Sequence, residues 1–192
     1  MVIGDLTDEE FDAFYPMKMR KLSATHWTPV AVVRKAASFL VDVPGTKVLD
    51  LGSGMGKFCL VAASCTSGII TGVEMRENLV QLSRKLAYKN QLHNVDFVHA
   101  NINAIDLSFY HAFYFFNSFG ENINLKDKLD PENVFDQELY KDLTKILHDR
   151  FEQLSIGTRI VTYCGEGREI PESYALVKSS NKGQLKFWSK RY

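Results

Sequence analysis

The chain has 192 residues, enough for one domain with its own core, and its 45% hydrophobic and 24% charged content is ordinary for a globular protein. Lys plus Arg and Asp plus Glu both number 23, so the formal net charge is zero and the basic excess of a strong nucleic-acid or membrane-surface binder is missing. No run approaches the ~20 apolar residues that span a bilayer. The acidic N-terminus lacks a signal peptide's apolar stretch, and Cys59, Cys65 and Cys164 form no CxxC pair, so a cytoplasmic location is expected.

In chain order, Thr7 caps a short helix within TDEEFDAFYPMKMRKLS, which Pro16 interrupts. A second helix follows, with Thr28 as cap and Pro29 at its first position. Val32, Val33, Ala36, Phe39 and Leu40 repeat at helical spacing, and Pro44-Gly45 ends it. From there the pattern alternates. TKVLDL reads as a buried strand, GSGMG as a glycine loop, KFCLVAASC as a helix and GIITGVE as a second strand. MRENLVQLSRKLAYKNQ is a helix with Leu79, Leu82 and Leu86 on one face, and VDFVHA and HAFYFFN are the third and fourth strands. A long amphipathic helix is predicted from Asp130 to Ser155, with Leu139, Leu143, Ile146 and Leu147 apolar, followed by the strand TRIVTYC.

Strand–helix alternation at this spacing implies an α/β doubly wound sheet, mostly parallel, with helices on both faces. The ending differs. ESYALVKSS and QLKFWSKRY are extended runs joined by Asn-Lys-Gly, a hairpin signal, so an antiparallel C-terminal strand pair is expected. Lys186, Lys190 and Arg191 there read as a solvated strand edge. The expected organisation is a single domain, with 1–45 a helical cap and 46–192 the α/β core.

The loop VLDLGSGMG carries the first chemical information. Gly52, Gly54 and Gly56 follow a strand and open a helix, where the backbone can turn sharply and approach a ligand. The dinucleotide fingerprint GxGxxG needs a third glycine where Lys57 stands, and no GK[ST] of a P-loop is present. Asp50, at the strand end, would repel a pyrophosphate and attract an amino group. Glu74 ends the second strand, about twenty residues beyond the loop, where a carboxylate can accept from both ribose hydroxyls.

VLDLGSGMGKFCLVAA followed by TGVEMRENLV resembles motif I and the next acidic motif of the class I S-adenosylmethionine-dependent methyltransferases, and the resemblance covers Thr46 to Tyr163. The C-terminal pair ALVKSS…LKFWSKR resembles the reversed last strand of that Rossmann-like family. The resemblance implies S-adenosyl-L-methionine as cofactor. It also implies that Asp50, Gly52 and Gly54 line the methionine part, that Glu74 holds the ribose and that Asn101 and Ile102 lie at the adenine, with Ser53 and Met75 as further cofactor-binding candidates. Asn101 stands where many members have an acid, and its amide oxygen can accept from the adenine amine.

Asn117 ends the fourth strand, and Asn117-Ser118-Phe119 resembles the NPPF or NPF element of methyltransferases acting on nitrogen, with serine at the proline position. Asn117 and Phe119 are therefore the acceptor-side, catalytic candidates. ATHWTPVAVVRKAA resembles a segment of small protein-lysine methyltransferases, with His26 and Trp27 at the pocket mouth or Trp27 as a hydrophobic staple. The five histidines have no ligand spacing, so no metal is expected. The expected activity is methyl transfer to nitrogen or oxygen of a small molecule or protein side chain. Neither membrane nor nucleic acid is expected as a partner. An RNA methyltransferase and a degenerate methyltransferase-like scaffold are the alternatives.

Overall fold

The computed structural model describes residues 3–21, 23, 27–116, 137–165 and 167–192. The chain divides into two compact units, Met1–Tyr114 and Phe115–Tyr192.

The first unit opens with a 3-10 turn (Ile3–Asp5), followed by α1 (Asp8–Asp12). Thr7 caps it in a full capping box: the Glu10 N–H donates to Thr7 Oγ1, and the Thr7 N–H donates back to Glu10 Oε2 at 2.8 Å. Pro16 ends this segment and opens α2 (Met17–Arg20). The next helix, α3 (Val30–Leu40), starts one residue later than its sequence suggests. Thr28 is not its cap. The Thr28 hydroxyl is instead hydrogen-bonded to Tyr114 Oη at 2.7 Å, and the Val30 N–H is taken by Asp8 Oδ1 at 2.9 Å. A carboxylate from another helix therefore satisfies a donor that no local side chain satisfies.

Next come β1 (Lys47–Leu51), α4 (Lys57–Cys65), β2 (Ile69–Glu74), α5 (Glu77–Lys89), β3 (Val95–His99) and β4 (Ala112–Phe116). In this unit β1 lies between β2 and β4, and β3 is the outer neighbour of β2; all pairings are parallel. Alternate residues of β1 face opposite sides, and Val48, Leu49, Asp50 and Leu51 are all buried, so both faces are covered. On the Asp50 face the rings of Phe58 and Tyr114 stack with centroids 3.7 Å apart. The apolar face of α5 is Leu79, Val80, Ser83, Leu86 and Ala87, with Leu82 at its half-buried margin. Arg84 Nε donates to Phe97 O at 3.0 Å, blocking one acceptor of β3.

The second unit contains α6 (Gln137–Glu152), β5 (Arg159–Tyr163), β6 (Tyr174–Ser180) and β7 (Leu185–Lys190). Strand β7 lies between β5 and β6, antiparallel to both, which meets the expectation of a reversed ending to a mostly parallel fold. Asn181 and Lys182 both have positive φ, 52° and 56°, as the centre of a tight hairpin turn requires. The buried stripe of α6 is Thr144, Leu147 and Phe151; Ile146 faces out, and Leu139 and Leu143 lie outside the described side chains. Lys190 is not on a solvated edge. It is 5% exposed, and its ammonium donates to the carbonyls of Phe151 and Glu152 at the end of α6. A cation among the last carbonyls of a helix offsets both their unpaired acceptors and the helix dipole.

Candidate functional site

β1 and β2 run in register, with Leu51 opposite Val73, so the glycine loop leaves β1 beside the end of β2. Two amides fix it there: the Gly52 and Ser53 N–H groups both donate to Val73 O, at 3.0 and 2.8 Å. Gly52, Gly54 and Gly56 have φ of 82°, 53° and 80°. That left-handed backbone is strained for residues with a Cβ.

The last two glycines serve different purposes. A Cβ at Gly56 would lie 2.7 Å from Ser83 Oγ and 2.8 Å from the Phe97 ring, so this glycine lets α4 start against α5 and β3. A Cβ at Gly54 would meet none of the described residues within 4 Å. Gly54 thus lies against open space beside the carboxylate of Glu74, a cradle suited to close approach of a ligand. The Ser53 side chain packs over Gly72, and its buried hydroxyl has no hydrogen-bond partner among the described residues.

Glu74 is 4% exposed, so it is no solvated surface glutamate. Its Oε2 accepts from the Gly54 N–H at 3.0 Å and from Arg76 Nη2 at 3.0 Å. Its Oε1 accepts from the Arg76 N–H at 2.9 Å and from Arg76 Nε at 2.8 Å. The carboxylate ties the loop to the turn between β2 and α5. Met75, next in sequence, exposes its side chain, and its carbonyl is hydrogen-bonded to His99 Nε2 at 3.0 Å.

Asp50 is 3% exposed and accepts a hydrogen bond from the Cys59 thiol at 3.3 Å. Burial raises its carboxyl to about 7, against a lowering by the Cys59 bond, with the nearby Glu74 charge adding to the rise. Burial first, and the Asp50 charge next, push the Cys59 thiol well up, so it is a core residue and no nucleophile. Asn101 is exposed. Its Oδ1 accepts the Asn103 N–H at 2.9 Å and caps the 3-10 turn Ile102–Ala104. That bond leaves an oxygen lone pair and the amide NH2 for other partners. Asn117, Phe119 and His26 lie outside the described residues. Among those described, no group of three His, Cys, Asp or Glu could hold a metal ion, and no helix is long and apolar enough to cross a membrane.

Three residues at the site escape a sequence reading. Tyr15 donates its hydroxyl to Met55 O, in the glycine loop, at 2.7 Å, and burial holds the phenol protonated. Lys57, at the first position of α4, is 4% exposed and donates to Asp8 at 2.7 Å and Asp12 at 2.8 Å. A cation opposes the dipole at a helix N-terminus, and the two carboxylates of α1 offset it. The Lys57 ammonium also lies 5.2 Å from the Phe11 ring centroid and 5.5 Å from that of Trp27. The N-terminal segment is therefore fastened onto the loop. Trp27 is part of that fastening, buried with its ring 4.7 Å from Tyr15. Arg76, the third, is visible only through its two-pronged grip on Glu74. A separate cleft of about 500 Å³, lined by Arg84, Tyr88, Lys89 and His93, lies by Val95, at the opposite end of β3 from His99, which pairs with Glu74.

Residues 42–188 match the family described as methyltransferase domain. The chain is 31% identical over 158 residues to the 23S rRNA (uracil(1939)-C(5))-methyltransferase RlmD of Marinomonas posidonica, covering 79% of this chain and 33% of that protein. It is 37% identical over 87 residues to RlmD of Acinetobacter baylyi, 44% of this chain and 18% of the relative. The chain thus spans a third or less of those relatives. Among solved structures, an RNA methyltransferase from Salinibacter ruber in complex with S-adenosyl-L-homocysteine aligns with TM-score 0.57 and 26% identity, over 85% of this chain and 92% of that one. TehB from Haemophilus influenzae, at TM-score 0.57 and 17% identity over 89% of this chain and 66% of its own, shares the fold. These relatives overturn the expectation that nucleic acid is no partner. That expectation rested on net charge, which sums over the whole surface and is silent on local distribution.

Proposed function

The chain belongs to the methyltransferase-domain family and uses S-adenosylmethionine, and from that premise we propose that it methylates RNA. The observation that carries this reading is the 31% identity, across 79% of the chain, to an rRNA methyltransferase. Within RNA, the resemblance of Asn117-Ser118-Phe119 to the element of nitrogen methyltransferases favours a base nitrogen as acceptor. In this reading Asn117 holds the acceptor amine and Phe119 stacks on the base.

The residues present suit the cofactor. Asp50 would supply the carboxylate for its ammonium. Gly52 and Gly54 would let the methionine part lie against bare backbone, with Ser53 between them. Glu74 would accept from the ribose hydroxyls and Asn101 and Ile102 would flank the adenine, with Met75 a further cofactor contact. Gly54 supports this assignment most directly, because its missing side chain leaves open space beside Glu74. When bound, the cofactor supplies an activated methyl group on a sulfonium. The protein's part is alignment and exclusion of water, and no enzyme nucleophile is needed for attack by a nitrogen lone pair.

The test is incubation of the purified protein with methyl-tritiated S-adenosylmethionine and either RNA or a protein extract, followed by nuclease or protease digestion. Label released by nuclease alone is expected, and analysis of the nucleosides should show an N-methylated base. Label in 5-methyluridine would replace the nitrogen assignment with carbon. Label released only by protease would overturn the RNA reading.

A further inference from the structure

Glu74 has room for four strong hydrogen bonds, two on each carboxylate oxygen, and it already receives four. Two come from backbone amides, of Gly54 and Arg76, which the turn geometry fixes. The other two come from the Arg76 guanidinium, whose Nε and Nη2 reach Oε1 and Oε2 side by side at 2.8 and 3.0 Å. A ribose cis-diol presents the same pattern, two adjacent donors for two carboxylate oxygens. The backbone amides cannot leave without deforming the glycine loop or the start of α5. The guanidinium, on a flexible stem and 24% exposed, can.

We propose that Arg76 is a positioning residue that occupies the ribose-diol positions of Glu74 and is exchanged for the ribose when the cofactor binds. This rests on the assignment of Glu74 as ribose acceptor. Glu74 is nearly sealed from water, so leaving two of its four acceptor positions empty is costly, and Arg76 keeps them filled until a ligand takes over. A ligand without the two hydroxyls cannot repay the loss of the fork and leaves Arg76 in place, so it gains nothing from Glu74. Arg76 thus competes with the diol-bearing ligand, while the preference for the diol itself resides in Glu74.

The experiment is calorimetric titration of wild type, Arg76→Ala, Arg76→Lys and Glu74→Ala with S-adenosylhomocysteine and with its 2′,3′-dideoxy analogue, each variant checked for cooperative unfolding. Relief of a partly exposed fork should tighten Arg76→Ala binding of S-adenosylhomocysteine by roughly tenfold. Arg76→Lys, which keeps the charge and loses the fork, should fall between. The preference for the diol-bearing ligand over the dideoxy analogue should survive in wild type and vanish in Glu74→Ala. Equal or weaker binding by both Arg76 variants, with Glu74→Ala weakened, would overturn the exchange and leave the ribose assignment standing. Unchanged binding by a folded Glu74→Ala would overturn both.

Discussion

Asp50→Asn should change the pH dependence of stability in a direction opposite to that of most carboxylates. Burial raises the folded Asp50 carboxyl to about 7, whereas in an unfolded chain it ionises near 3.8. Between these values the folded state holds a proton that the unfolded state has released, so stability falls as pH rises through the window and is level above it. At ~1.4 kcal/mol per tenfold change in proton affinity, the loss reaches about 4 kcal/mol by pH 8. The variant carries no charge to desolvate, and its Oδ1 can still accept from Cys59. Burying its extra N–H donors costs roughly 1–3 kcal/mol, but equally at every pH. Urea unfolding of both proteins from pH 4 to 8 therefore isolates the Asp50 contribution. The stability of the Asp50→Asn variant relative to wild type should climb by roughly 2–4 kcal/mol across the range, most of it below pH 7. The same variant should bind S-adenosylhomocysteine more weakly at pH 8, because the ligand ammonium loses its counter-charge. Parallel stability curves would show that Asp50 is ionised throughout and refute the reasoning.

Two further perturbations separate packing from ligand contact. Gly56→Ala combines a φ of 80° with contacts under 3 Å to Ser83 and Phe97, and should cost roughly 2–5 kcal/mol in denaturant unfolding; Gly54→Ala has open space at φ 53°, should cost only about 1 kcal/mol, and should lose cofactor affinity in titration while staying folded. Tyr15→Phe removes the donor to Met55 O, leaves a buried carbonyl unpaired, and should cost about 1–3 kcal/mol, read as a lower urea midpoint with unchanged slope.

By itself the sequence determined the order of the elements, because each carries its own period: Val48 to Leu51 as a buried strand, Leu79 and Leu86 as one helical face, Asn181-Lys182-Gly183 as a turn. It also marked the candidate cofactor loop, since the glycines and the acids at the two strand ends are local chemistry at fixed spacing. Tertiary structure alone decided which contacts complete the site. Asp8 and Asp12 meet Lys57 across more than forty residues, Tyr15 reaches Met55 across forty, and Thr28 turns from an expected cap to a bond with Tyr114. Lys190 illustrates the same point, a surface charge by composition and a buried helix cap in the fold. Periodicity records which side of an element is apolar. Which polar group is stripped of water, and so must find a partner or shift its proton affinity, depends on neighbours brought close only when the chain has closed, and Asp50 becomes unusual for that reason.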